Sequence, residues 1–146
     1  MWMIRKVSLS DSEALFNWRN DPEVYRYFFN PSPVQRVDHE AWLARVLKNE
    51  LVAFYVVTFE GQDLGTVRFD LNSNQVEAEV GIYLASEFHG KGLGVKMLEA
   101  SEVEFKKQYP GIKKIIAKVL PENVASEKMF LKNGYEKKFI QLEKLY

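Results

Sequence analysis

The segment richest in potential chemistry is Phe88-His89-Gly90-Lys91-Gly92-Leu93-Gly94-Val95. Glycines at 90, 92 and 94 strip side chains from alternate backbone positions, just where an extended stretch gives way to a helical one. Bare N–H groups at a helix N-terminus, reinforced by the helix dipole, form a seat for a pyrophosphate. Lys91 adds a positive charge. Taken alone, the pattern suits a flexible loop or close helix–sheet packing about equally well, because short glycine motifs are common. Two other phosphate loops are excluded. A Walker loop needs Gly-Lys followed by Ser or Thr, and here Gly92 follows the lysine. A dinucleotide fold places its glycines after the first strand of a βαβ unit, whereas these follow an antiparallel meander.

That meander is read from Val52 to Phe59, Leu64 to Leu71 and Gln75 to Leu84, joined by the short turns Glu60-Gly61-Gln62 and Asn72-Ser73-Asn74. Upstream, Met3 to Leu9 reads as a strand. Ser10 and Glu13 form a capping box for a helix over Asp11 to Arg19. Asp21-Pro22 starts a short second helix through Arg26, and Trp42, Leu43, Val46 and Leu47 fall at helical spacing within Asp38 to Lys48. Downstream of the loop, the pattern predicts a helix over Gly92 to Gln108 and a buried strand over Ile112 to Leu120. A helix opened by Asn123 and closed by Asn133-Gly134 follows, then a last strand over Tyr135 to Gln141.

The whole chain, residues 1–146, reads as one domain: there is no repeat, linker or low-complexity tract, and 47% hydrophobic residues supply a core. Lys plus Arg and Asp plus Glu both number 20, so the balance argues against nucleic acid as a partner. The absence of cysteine excludes disulfides, a thiol nucleophile and thiolate metal sites. No metal is expected. No apolar run reaches the ~18 residues of a membrane span, and no apolar signal region follows Met1, so the expected location is cytoplasmic, away from membranes.

Ile82 through Gly94 resembles the acetyl-CoA motif of the GNAT N-acetyltransferases, Gln/Arg-x-x-Gly-x-Gly/Ala, with Gly92 and Gly94 in register and His89 standing where that family usually has Arg or Gln. Asn123-Val124-Ala125-Ser126, then Phe130, then Lys132-Asn133-Gly134-Tyr135, resembles the family's second block, in the same order and spacing. The resemblance implies an α/β (α+β) fold, a mixed and mostly antiparallel central sheet flanked by about four helices. It further implies acetyl-CoA as co-substrate, held by Ile82, Leu84, His89, Gly90, Lys91, Gly92, Leu93, Gly94 and Val95, with Asn123 and Phe130 beside it. Many relatives carry a tyrosine, the acid for the departing thiolate, at the position of Phe130. Phenylalanine has no proton to give, and Ser126 is the nearest hydroxyl on the same helix face. Glu79 shares a strand face with Glu77 and lies nearer the expected thioester, which makes it the candidate base.

Three pieces of the acceptor half resemble the branch that acetylates nucleotide-linked amino sugars. They are Trp18-Arg19-Asn20 with Val24 and Arg26, then His39 with Trp42, then Gly65 to Asp70 including Arg68. The expected partner is therefore a small-molecule amine, in that branch a nucleotide sugar, met by a monomer or homodimer. Acetylation of protein N-termini or other small amines, and non-catalytic acetyl-CoA sensing, are the competing readings.

Overall fold

The computed structural model describes residues Met1–Tyr146. Five strands form one sheet in the order β1 (Trp2–Lys6), β2 (Val52–Phe59), β3 (Gln62–Leu71), β4 (Glu77–Leu84), β5 (Lys114–Ala117). The first four pair antiparallel, and β5 joins parallel to β4. Parallel addition requires a crossover, and α4 (Leu93–Gln108) supplies it. On the other face lie α1 (Ser12–Arg19), α2 (Pro22–Tyr25) and α3 (Arg36–Lys48), while α5 (Val124–Lys132) packs beside α4. This is the expected mixed sheet, with five helices where about four were anticipated.

Two-residue alternation divides the sheet into two cores. Tyr55, Val67, Phe69, Ala78 and Val80 face α4 and meet Met97, Leu98 and Phe105. Phe69 and Phe105 stack with ring centroids 4.0 Å apart. Phe54 and Val56 face the other way, against Leu15, Leu43 and Val46. Each such fully buried large side chain stabilises the fold by roughly 1.5–3 kcal/mol, enough to fix which face of every strand looks at which helix. Gly65 is required by close approach. A Cβ there would lie 2.1 Å from the Tyr83 carbonyl oxygen.

Two local expectations are corrected. The reciprocal cap at the chain's first helical turn is made by Ser8 and Asp11, ahead of Ser10 and Glu13, because Leu9–Asp11 forms a 3-10 turn before α1 begins. Residues Tyr135 to Gln141 form no strand. Past the turn at Gly134, the Tyr135 ring wedges edge-on against Phe130 and its hydroxyl donates to Glu102 at 2.7 Å. The following residues face no strand, and an unpaired segment gains no ladder bonds to hold it extended. No helix is long and apolar enough to cross a membrane.

Candidate functional site

The pairing between β4 and β5 stops at Val80 and Ala117, yet β4 runs on to Leu84. Beyond Val80, β4 runs on without a strand against that edge, and Lys118, Val119 and Leu120, which follow β5, line the gap beside it. The Ala85 N–H bonds back to Leu64 on β3, so by alternation Ile82 and Leu84 turn their peptide groups toward the gap. The gap opens into a cavity of about 1030 Å³ that runs from the glycine loop and α5, across the sheet, to α1, α2 and α3.

Gly90, Gly92 and Gly94 of the glycine loop line this cavity. Gly92 is the N-cap of α4 with φ 72°, Gly90 has φ 73°, and a Cβ at either would enter open space. Left-handed backbone at both positions is the conformation glycine adopts at no steric cost, and with no side chain there the loop backbone is open to a ligand. Gly94 serves packing: its Cβ would lie 2.9 Å from Met129 Sδ, so the bare position lets α4 and α5 approach. Leu93 and Val95 line the cavity, whereas Lys91 lies over the Phe88 ring at 5.9 Å and is absent from the wall. Lys128 and Lys132, one turn apart on α5, do line it. Sequence reasoning passed over them, although their i, i+4 spacing beside Ser126 was the available signal.

His89 binds within the chain: its Nε2 donates to the Leu84 carbonyl at 2.8 Å. A carbonyl only accepts, which fixes the proton on Nε2 and leaves Nδ1 as the ring atom free for a ligand. On α5, the Asn123 side chain accepts from the Ser126 N–H at 3.2 Å, capping the helix. The Ser126 hydroxyl makes no hydrogen bond within the chain and lines the cavity with the buried Phe130. No tyrosine hydroxyl comes from α5. The tyrosines on the wall are Tyr27 and Tyr83, and burial pushes the Tyr83 phenol up to about 12. It is a hydrogen-bond donor at neutral pH.

The acceptor end combines aromatic and basic side chains. The Arg68 guanidinium lies 5.8 Å from the Trp42 ring centroid, and its Nε donates to Asp70 at 2.6 Å. Its two terminal nitrogens make no bond within the chain and remain available. Arg45 lines the same wall, as do Glu23 and Asp38. Other anticipated contact residues hold the fold. Arg19 donates to the Ser32 and Asn30 carbonyls, and Asn20 bonds both the N–H and the carbonyl of Val34, so the pair pins the loop at 30–34. His39 is buried, with Nε2 against the Ser12 carbonyl at 3.0 Å, and Trp18 packs edge-on against Tyr83. Arg19 and His39 touch the cavity; Trp18 and Asn20 do not. Glu79 stands off the wall in an ion pair of 2.9 Å with Lys118, whose ammonium it holds above the usual lysine range. No group of three or more His, Cys, Asp or Glu side chains is placed to hold a metal.

A mixed sheet whose parallel pair ends short of β4's own end, beside a helix begun by a glycine loop, is the architecture of an acyl-CoA-binding class. Residues 2–136 match the family model described as an acetyltransferase (GNAT) domain, and the chain belongs to that family. A protein of Methanocaldococcus jannaschii, MJ1062, is 27% identical over 139 residues, which are 92% of this chain but only 28% of that protein's length. Among solved structures, spermidine N-acetyltransferase from Vibrio cholerae in complex with CoA and spermine superposes with TM-score 0.86 at 19% identity, covering 99% of this chain and 86% of that one. Aminoglycoside acetyltransferase AAC(6')-Ib in complex with coenzyme A gives TM-score 0.81 at 22% identity, covering 94% and 86%. The family match makes this an acetyltransferase domain of the GNAT type, and both solved structures share its fold. They lend no support to the amino-sugar branch.

Proposed function

We propose that this chain transfers the acetyl group of acetyl-CoA to a primary amine on a small acceptor that also carries an anionic group, a nucleotide-linked amino sugar being the best fit. The observation that carries the anionic group is Arg68, held 5.8 Å from the Trp42 ring centroid with its Nε committed to Asp70 and its terminal nitrogens free. A guanidinium oriented in this way presents a fork suited to a phosphate. Arg45 adds charge on the same wall, and the carboxylate of Glu23 is already paired with Arg26 at 3.2 Å. Polycationic acceptors would need a surplus of carboxylates here.

The residues divide the work. Backbone N–H groups of the glycine loop and the first turn of α4 hold the pyrophosphate, and the Ile82 and Leu84 edge orients the pantetheine arm and thioester. Acetyl-CoA supplies the activated acyl group. The amine must arrive neutral, which at neutral pH costs about 4–5 kcal/mol for a lysine-like amine and about 1 for one near pKa ~8. Glu79, ion-paired with Lys118, is the carboxylate on the acceptor face nearest the end of the β4–β5 pairing. Standing off the cavity wall, it takes up the amine proton through water. Ser126, with a free hydroxyl on the cavity wall, donates toward the departing thiolate.

The test is acetyl transfer from acetyl-CoA to a UDP-linked amino sugar, spermidine, kanamycin and a serine-initiated peptide. The highest kcat/KM is expected for the nucleotide sugar. Preference for spermidine or kanamycin would overturn the anionic acceptor, preference for the peptide would favour the N-terminal reading, and acetyl-CoA binding without turnover would favour a sensor.

A further inference from the structure

We propose that Gly81 is the opening through which the acceptor amine reaches the thioester, so that the missing side chain at this one position is a specificity element of the transfer site. This role rests on reading the β4–α4 groove as the acetyl-CoA site, and it holds for any acceptor.

The alternation along β4 sends Ala78 and Val80 into the core under α4, and Glu79, Gly81 and Tyr83 toward the acceptor half. Glu79 and Tyr83 fill their places on that face. Glu79 pairs with Lys118, and the Tyr83 ring packs against Trp18 and Phe28 at 6.4 and 5.8 Å. Between them Gly81 lies opposite Arg68 in the β3–β4 register, on the cavity wall and exposed. It is also the first residue of β4 past the end of the β4–β5 pairing, next to Ile82, whose peptide faces the gap. An acceptor entering from that half, whether or not Arg68 anchors it, crosses the sheet face at residue 81 to bring its amine to the gap.

Nothing in the fold asks for glycine there. Its φ lies outside the left-handed range, and a Cβ would meet no atom within 4 Å. The contrast with Gly65, where a Cβ would overlap the Tyr83 carbonyl, is direct. A glycine inside a strand weakens it, having more backbone freedom to lose and no side chain to pack. The backbone at 81 gains nothing from glycine, and the space above it is what remains to explain the residue.

Calorimetry with two ligands tests this without knowledge of the natural acceptor. CoA probes the cofactor groove alone. S-(N-butylcarbamoylmethyl)-CoA carries an amide whose butyl chain leaves the nitrogen as an acceptor's carbon would, over residue 81. In wild type, Gly81→Ala and Gly81→Val, CoA should bind within about twofold. The conjugate should weaken by roughly tenfold or more in the valine variant, and by less in the alanine variant, as expected when a side chain fills a ligand's path. Melting curves report folding, and the alanine variant, whose Cβ meets open space, keeps the series readable if valine disturbs the strand. Equal changes for CoA and conjugate, or none for the conjugate, would overturn the role of Gly81. A wild-type protein that binds no CoA would instead remove the cofactor reading on which this role stands.

Discussion

Gly65→Ala should be far more damaging than its size suggests. The new Cβ would sit 2.1 Å from the Tyr83 carbonyl oxygen and 2.9 Å from Leu84 Cα. Neither neighbour can rotate away, because both are backbone of β4. Relief requires moving β4 by roughly 1 Å at Tyr83–Leu84, the edge that faces the cofactor gap, or twisting β3 out of register. Overpacking of this kind typically costs about 1–3 kcal/mol where side chains can yield, so the upper end or more is expected here. For a domain of this size that corresponds to a fall in Tm of roughly 6–12 °C. Gly61→Ala is the control: it also has positive φ, 77°, but meets nothing within 4 Å, so only the left-handed backbone cost of about 1–2 kcal/mol applies. Thermal melts with and without CoA read both effects. The expected result is a lower Tm for Gly65→Ala than for Gly61→Ala, together with a smaller CoA-induced rise. Equal melting temperatures and equal ligand shifts would refute the claim that β3 and β4 approach this closely at the site.

Gly92→Val should abolish saturable acetyl-CoA binding while leaving a folded protein, since the new side chain enters open space but forces strain into the loop; unchanged affinity in calorimetry would count against the loop. Ser126→Ala should lower kcat by about 10²-fold with little effect on acetyl-CoA affinity if the hydroxyl serves the thiolate, and a normal kcat would leave that role to water. Arg68→Ala should raise the acceptor's KM and leave that of acetyl-CoA nearly unchanged; the reverse pattern would move Arg68 to the cofactor. Asp21 is held below the usual carboxylate range by the Ser86 hydroxyl, at 2.5 Å, and by the Glu23 N–H. Its contribution is therefore present above about pH 4 and lost as the pH falls through the lower folded value. Melting curves from pH 6 to pH 2 should show a smaller acid loss for Asp21→Asn than for wild type.

Much of this was legible because local chemistry and tertiary need agree. The glycine spacing that strips side chains from residues 90–94 is also the spacing that opens the loop backbone to the cavity, so motif and geometry coincide. The meander was readable from its turns. The acceptor half was not, for a physical reason: Arg19, Asn20 and His39 are residue types that bind ligands and also tie loops. Only the positions of the Asn30, Ser32, Val34 and Ser12 backbone groups reveal which role each side chain fills. Gly81 gave no signal, since an isolated glycine in a strand looks the same whether it serves a bulge or a ligand path. The segment after Gly134 shows the opposite failure. Tyr135, Phe139 and Ile140 suit a strand, but a strand is a property of a pair, and the segment has no partner.

Transfer of acetyl from acetyl-CoA to an amine leaves free CoA thiol and an amide in equal amounts. The protein contains no cysteine, so thiol release reports CoA alone. The most direct measurement follows free thiol and acetylated product together, with acetyl-CoA and a UDP-linked amino sugar. One thiol released per amide formed is expected, in wild type and not in Gly92→Val. Thiol release without amide, or equal amide formation by the variant, would contradict acetyl transfer through the glycine-loop site.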